Sequence, residues 1–425
     1  AVLAVHWARW LSLAFGLGTV VMTFLLVYQA FPGRPGLALG AAGINAFIPQ
    51  FLFINSSVSN DSLITFLSTW GLYQLSRMLN RQDDSLGSAI LLGITTGLAA
   101  ITKLSGLALL GLSGIVLVWL AIRRRSWRPL VQGGLIVIAL TTMIAGWWYL
   151  RNLRLYGDLS GLVPHLGVMG GPREFQELTI RSIGSELVGL RASFWGLFGW
   201  FSILMPSWTY RLLDLATATG VIGLADFLMK HGKKNEVARR VTILALIWFA
   251  MVAASLIRWT TIVKGSQGRL LFPAISGIIL ILSVGWVHLF TMLTGGRRGD
   301  LALVVAASGL LMLSVGSLIW VIPPAYAKPV DLKAADLPTD LAFSELLFGD
   351  EIRLYGCMAD RDRTEPGEDL AITCFWEALR PIEEDYHFFH HILGQDLQPI
   401  GKLVGYPCSG ALPASLWQVG SIIAA

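Results

Sequence analysis

Charge is what this sequence has least of. Only 14% of its 425 residues are Asp, Glu, Lys or Arg, against roughly a quarter in an ordinary soluble domain, which argues against a water-soluble enzyme. Cysteine is scarce too. There are three, Cys357, Cys374 and Cys408, at spacings that fit no zinc pattern. No internal repeat is visible, and no glycine motif of the Walker type is present. The net charge of +5 is too small and dispersed to argue for a nucleic-acid partner. Hydrophobicity fills the place of charge: 54% apolar residues, a mean hydropathy of +0.64, 45 Gly and 16 Trp. Those features belong to a polytopic α-helical membrane protein, in which Gly and interfacial Trp are both enriched.

A span needs about 20 mostly apolar residues, and ten candidates lie near 8–30, 36–54, 61–79, 88–103, 105–122, 129–150, 207–229, 241–257, 270–290 and 301–322. The fourth and fifth form one apolar stretch broken at Thr102-Lys103-Leu104-Ser105. It is too long for one helix, so a hairpin of two short helices is expected. Orientation follows from the loop cations, because basic loops stay on the cytoplasmic side. Arg34, Arg77, Arg81, Arg123, Arg124, Arg125, Arg128, Lys230, Lys233, Lys234, Arg239, Arg240, Arg297 and Arg298 fall in one set of loops. The alternate short loops hold only Lys103, Arg258, Lys264 and Arg269. The first set is therefore expected in the cytoplasm of a cell bounded by this inner membrane. The second set, the long loop 151–206 and everything after 323 are expected outside.

The chain begins at Ala1, without the features of a signal peptide, and stops in what reads as a strand. It is expected to be a piece of a longer protein, cut at both ends. Two domains are expected: a membrane part over 1–325 and an extracytoplasmic all-β, sandwich-like domain over 326–425. In the latter, 351–357, 369–377, 384–393 and 398–406 alternate with the period of strands. Cys357 and Cys374 read as two buried apolar cysteines rather than a bridge. His387 and His391 would face one way along a strand and His390 the other, which disfavours a shared metal.

The informative residues are polar ones that topology gathers at the outer face. Asn60-Asp61 opens the third span, where a carboxylate must be solvated, paired or functional. Either residue could cap the helix, and Asp61 could be functional at the same time. Lys103, at the hairpin tip, could snorkel to the interface or contact a phosphate. Gly146–Asp158 leaves the sixth span with an aromatic belt followed by Arg151, Arg154 and Asp158. The segment Arg258–Arg269 adds Lys264, Gln267 and two glycines able to let backbone approach a ligand. Lys103, Arg151, Arg258, Lys264 and Arg269 are thus expected to form a cationic ring around Asp61, suited to an anionic lipid headgroup. The segment 172–206 reads as an interfacial helix followed by a re-entrant or lid-like element, Ser193–Phe201, or else a pair of short spans.

Taken in order, Arg9–Gly16, Pro49–Asp61, Ala99–Gly106, Gly146–Asp158 and Gln267–Pro273 resemble the polyprenyl-phosphate-dependent glycosyltransferases of the GT-C superfamily, which includes protein O-mannosyltransferases and aminoarabinose transferases. The resemblance covers essentially the whole membrane part, and the β-domain is similar to one appended to bacterial members. It implies transfer of a sugar from a polyprenyl-phosphate donor to a glycan, lipid or protein acceptor outside the membrane. It also implies a catalytic base in an outer loop that would precede Ala1. Asp61 matches a second acidic position that orients the acceptor or a divalent cation; no metal ligand set is assigned. The competing readings are a flippase for lipid-linked sugars, for which Asp214 and Asp226 are the acidic candidates, and a non-catalytic glycan-binding scaffold.

Overall fold

The computed structural model describes residues 2–168, 179–199, 201–230, 235–263, 266–296, 299–329, 331–339, 341, 346–361, 363, 370–393 and 399–424. The chain divides into two compact units, Ala1–Val321 and Ile322–Ala425.

The first unit is a helical bundle. Its elements are α1 (Val2–Ala30), α2 (Pro35–Ala46), α3 (Pro49–Asn55), α4 (Asn60–Arg81), α5 (Leu86–Thr102), α6 (Leu107–Arg124), α7 (Gly134–Tyr156), α8 (Leu162–Val168), α9 (Ile180–Trp195), α10 (Ser207–Lys230), α11 (Glu236–Thr260), α12 (Ile275–Leu293) and α13 (Leu301–Gly316). A two-stranded hairpin joins α9 to α10: β1 (Leu197–Phe198) and β2 (Ile203–Leu204). Each of the ten expected spans falls on helix, but not all as simple crossings. Among the described residues, seven helical segments are long and apolar enough to cross a membrane. The span expected at 36–54 is bent by 65° between α2 and α3, where Pro49 cannot continue the preceding helix. Counted as one crossing, this pair makes eight.

The other two expected spans depart for physical reasons. Helix α5 has only 17 residues. Helix α4 is long enough but too polar, because it buries hydroxyls and amides against its neighbours rather than showing an apolar surface to lipid. Thr69 and Thr23 both share hydrogen bonds with Ser276 (2.9 and 2.8 Å), Asn45 donates to Thr23 (2.8 Å) and Gln74 donates to Thr95 (2.8 Å). Buried polar groups are tolerated when paired in this way.

Helix α12 with the turn that leads into it, Gly268–Leu293, is the central strut, and 78% of its most apolar stretch is buried. Its contact with α10 depends on small residues: a Cβ on Gly285 would lie 1.8 Å from the Gly220 carbonyl oxygen, and one on Gly223 would lie 2.2 Å from the Gly285 carbonyl oxygen. Only glycine on both helices permits this approach, the usual device of packed membrane helices.

Loops assigned to the same side by their charge are the ones that touch. At one end Arg34 pairs with Asp300, and Arg124 with Asp84 at 2.9 Å. At the other, Asn60 donates to the Thr102 carbonyl (3.3 Å) and the Gly268 N–H to Ser193 Oγ (2.7 Å). The expected hairpin is present: Lys103 is extended, and a 3-10 turn at Leu104–Gly106 reverses the chain into α6.

The second unit contains a short helix, α14 (Ile322–Ala325), and strands β3 (Asp331–Leu332), β4 (Leu346–Phe348), β5 (Ile352–Ala359), β6 (Ile372–Ala378), β7 (Phe388–Leu393), β8 (Pro399–Gly405) and β9 (Ile422–Ala424). Five form an antiparallel sheet in the order β3-β9-β6-β5-β4, and β7 pairs with β8 as a separate ribbon. The core lies on one face of the sheet, where Ile352, Leu354, Trp376, Trp417 and Ile423 are buried and Phe388 of the ribbon packs against them.

Here the cysteine expectation is corrected. Cys357 and Cys374 form a disulfide, while Cys408 is free. Strict alternation from Ile352 and Leu354 would turn Cys357 away from that face. A bulge between Leu354 and Gly356 inserts one residue and puts Cys357 directly opposite Cys374. Such a bulge reverses which residues face the core.

Candidate functional site at one end of the bundle

The residues that meet at the Asp61 end are placed by helix termini. Ser59 is the N-cap of α4: its hydroxyl accepts the Asp61 N–H at 3.1 Å. The capping role expected of Asn60 or Asp61 therefore belongs to Ser59, and the Asp61 carboxylate is left for other partners. It is only 4% exposed. Lys103 Nζ donates to Oδ1 at 2.5 Å, and Arg269 Nε lies 3.6 Å from Oδ2. Asp61 sits in the first turn of α4 and Lys103 just past the last turn of α5, so each charge suits the dipole of the helix that carries it.

Arg269 is delivered by a 3-10 turn, Gly268–Ala274, that backs onto α9. A Cβ on Gly268 would meet the Phe194 backbone nitrogen at 2.2 Å. Gly268 thus serves close packing against α9, not approach to a ligand as the sequence suggested. At the far end of the turn, the Trp248 indole N–H donates to the Pro273 carbonyl at 2.9 Å.

The other sequence-derived residues divide. Arg151 is exposed and lies over the Trp148 ring at 5.1 Å. Helix α7, which carries it, is tied to the last turns of α5 by the Tyr149 hydroxyl, which donates to the Ala100 carbonyl at 2.8 Å. Arg258 is exposed in the last turn of α11. Neither arginine makes an ion pair with Asp61 among the described residues. Gln267 is half-buried and precedes the 3-10 turn. Lys264 lies outside the described residues.

Asp158 has a local task. Its carboxylate accepts from the backbone N–H groups of Ser160 (2.9 Å), Leu162 (2.7 Å) and Val163 (3.1 Å) and from the Ser160 hydroxyl. The Ser160 and Val163 N–H groups, with the Ser160 hydroxyl, hold its carboxyl below the usual range. Those bonds shape the turn into α8 and leave little capacity for a substrate.

Two features were missed in the sequence. Glu186 of α9 accepts from the Ser266 hydroxyl at 2.6 Å, bringing a carboxylate to the segment that carries Arg269. Gln50, buried at the start of α3, accepts the Leu197 N–H at 2.7 Å and anchors the β1–β2 hairpin. The segment expected to be re-entrant or lid-like is thus the end of α9 followed by that hairpin, with Leu197 and Phe198 buried. Long-range side-chain pairings of this kind leave no periodic trace in a sequence.

The arrangement can bind an anion. One buried carboxylate fixes two cations, each partly exposed: 27% for Lys103 and 38% for Arg269. A divalent cation does not fit, since both carboxylate oxygens already face positive groups and such ions want several oxygen donors. Among the described residues, no three His, Cys, Asp or Glu side chains cluster as a metal site would require. The acids cited for transport are also paired. Asp214 meets Arg191 at 3.3 Å, and Asp226 meets Lys230 and His288 near the opposite end of α10.

A family model described as "Predicted membrane protein (DUF2142)" matches residues 2–282, more than half of the chain. This chain belongs to the DUF2142 family. The match ends within α12, so the Asp61 site lies inside it and the β-unit beyond it. No curated protein sequence matches this DUF2142 protein. It is similar to several solved structures. The Archaeoglobus fulgidus oligosaccharyltransferase in complex with zinc and sulfate is 15% identical, at a TM-score of 0.42 over 76% of this chain and 43% of the other. The same organism's AglB with an inhibitory peptide and a dolichol-phosphate is 14% identical, at 0.40 over 75% and 46%. ArnT from Cupriavidus metallidurans in the apo state is 18% identical, at 0.39 over 75% and 52%. This DUF2142 protein spans about half the length of the chains it matches.

Proposed function

We propose that this protein takes part in glycosyl transfer from a polyprenyl-phosphate-linked sugar, and that the Asp61 end of its bundle holds the lipid phosphate at the extracytoplasmic face of the inner membrane. The observation that carries this reading is the fixing of Lys103 and Arg269 by one buried carboxylate. Cations held in place before the reaction stabilise charge that develops on a leaving group without reorganisation. In the transfer, the bond from the anomeric carbon to the phosphate oxygen breaks, and its electron pair stays on the phosphate. A bond forms from the acceptor oxygen to the same carbon, and the acceptor proton passes to a base. Lys103 and Arg269 receive the departing phosphate, with Arg151 and Arg258 drawing the anionic donor toward that end. Asp61, committed to two cations, positions them and is not the base.

The reading is supported by the sequence resemblance to GT-C transferases and by the charge alternation of the loops. It is tested with membranes containing the protein, a radiolabelled polyprenyl-phosphate sugar and an endogenous acceptor fraction. Lys103→Ala and Arg269→Ala are each expected to lower transfer by at least about tenfold, consistent with loss of one charged contact to the leaving group. Unchanged transfer in both variants sinks the phosphate assignment.

A further inference from the structure

The β-unit holds a cleft of its own, and its lining differs in chemistry from the Asp61 site. The cleft measures about 700 Å³ and is lined by Phe348, Trp376, Tyr386, Phe388 and Phe389 above the Cys357–Cys374 disulfide. The Trp376 ring packs at a tilt against Phe388, with centroids 4.4 Å apart, and against Phe348 at 5.7 Å. Polar groups stand along one rim. Glu351 accepts from Arg380 at 2.8 Å and from the Tyr386 hydroxyl at 2.6 Å. That network fixes the Tyr386 ring while leaving the Arg380 side chain 54% exposed, with further donors to offer.

Two observations point to a ligand. Phe389, at 69% exposure, and Phe348, at 52%, present large apolar rings with nothing else in the unit to cover them among the described residues. Arg380, 54% exposed, and the Tyr386 hydroxyl stand beside those rings as polar groups at the edge of the cleft. Apolar rings below and planar hydrogen-bonding groups at the edge match a sugar, which has C–H faces and a hydroxyl rim. Charge selects among sugars. Asp350 and Glu351 outnumber Arg380 on the lining, so an acidic saccharide is disfavoured.

We propose that this cleft is a saccharide-binding site that takes a short neutral oligosaccharide, with Phe348 and Phe389 stacking on sugar faces and Arg380 donating to sugar oxygens. It is independent of the transfer reaction proposed above.

The test uses the whole chain in lipid nanodiscs, free of sugar-headed detergent, titrated by calorimetry and saturation-transfer NMR. The probes are maltotetraose, cellotetraose and chitotetraose, with tetragalacturonate and an extended Leu/Phe-rich octapeptide as competitors. At least one neutral tetrasaccharide is expected to bind with a Kd below about 1 mM. Phe389→Ala and Tyr386→Ala are each expected to weaken it about tenfold, and Arg380→Gln, which removes the charge of an exposed donor, several-fold. Phe389 is mostly exposed, so its truncation leaves the fold intact, which an unchanged melting temperature verifies. The proposal is overturned if no neutral tetrasaccharide binds, if the variants bind as tightly as the parent, or if only the octapeptide or tetragalacturonate saturates. The octapeptide result would mean strand addition at the exposed edge β4.

Discussion

Replacing Asp61 tests the site at its centre. At an effective dielectric of about 20, unit charges 2.5 Å apart attract by roughly 6–7 kcal/mol and those 3.6 Å apart by roughly 4–5 kcal/mol. Burial of the carboxylate offsets several kcal/mol of this. Solvent also screens both cations, most of all Arg269, which is 38% exposed. A net contribution of about 2–3 kcal/mol remains. Asp61→Leu should therefore destabilise the bundle by about that amount, because Lys103 and Arg269 are left facing each other. Lys103→Leu alone should cost about 1–2 kcal/mol, since Asp61 keeps Arg269. The double variant should be markedly less damaging than the sum, with a coupling energy of about 1.5 kcal/mol or more. Equilibrium unfolding in mixed micelles, followed by tryptophan fluorescence, measures all three. Additivity within about 0.5 kcal/mol would refute the claim that this carboxylate holds the cations in place.

Other expectations are more local. Removing the disulfide, which closes a separation of 17 residues, should cost the β-unit about 3 kcal/mol, seen as a lower melting temperature under reducing conditions. Without reductant, only Cys408 should alkylate, and slowly at pH 8, because burial pushes its thiol up to about 11; fast labelling of two or more cysteines contradicts this. Gly268→Ala should destabilise by about 1–3 kcal/mol and displace Arg269, since the added methyl meets backbone rather than a side chain that can move. The turn before α8 should depend on pH. The Asp158 carboxyl is held below its unfolded value, so its contribution is present above the unfolded pKa and is lost as pH falls through the folded one. Hydrogen exchange at Leu162 and Val163 should quicken over that acidic range, and Asp158→Asn should remove most of the dependence.

The amino-acid sequence determined the class of this protein. Ten apolar stretches and the alternation of loop cations were readable because lipid imposes a length and a charge rule on every span. The hairpin at Lys103 was readable for the same reason, since a single helix could not hold so long a run. Four strands of the β-unit, β5 to β8, followed from period-two alternation, whereas β3, β4 and β9, of two or three residues each, are too short to show it. What sequence could not carry was any feature produced by contact between distant segments. The run of hydroxyls and amides along α4 took on a role only in the fold, where α12 partners Thr69 and α5 partners Gln74. Five cations were expected around Asp61, and packing brings Lys103 and Arg269 into ion pairs with it. Asp158 turned inward to its own backbone, and Gly268 to α9. The bulge at Gly356 reversed the facing of Cys357 and so decided the disulfide, because one inserted residue changes parity without changing composition. Periodicity and charge act locally or through the membrane, so a chain records them directly; pairing across the fold is settled only when the helices and strands have packed.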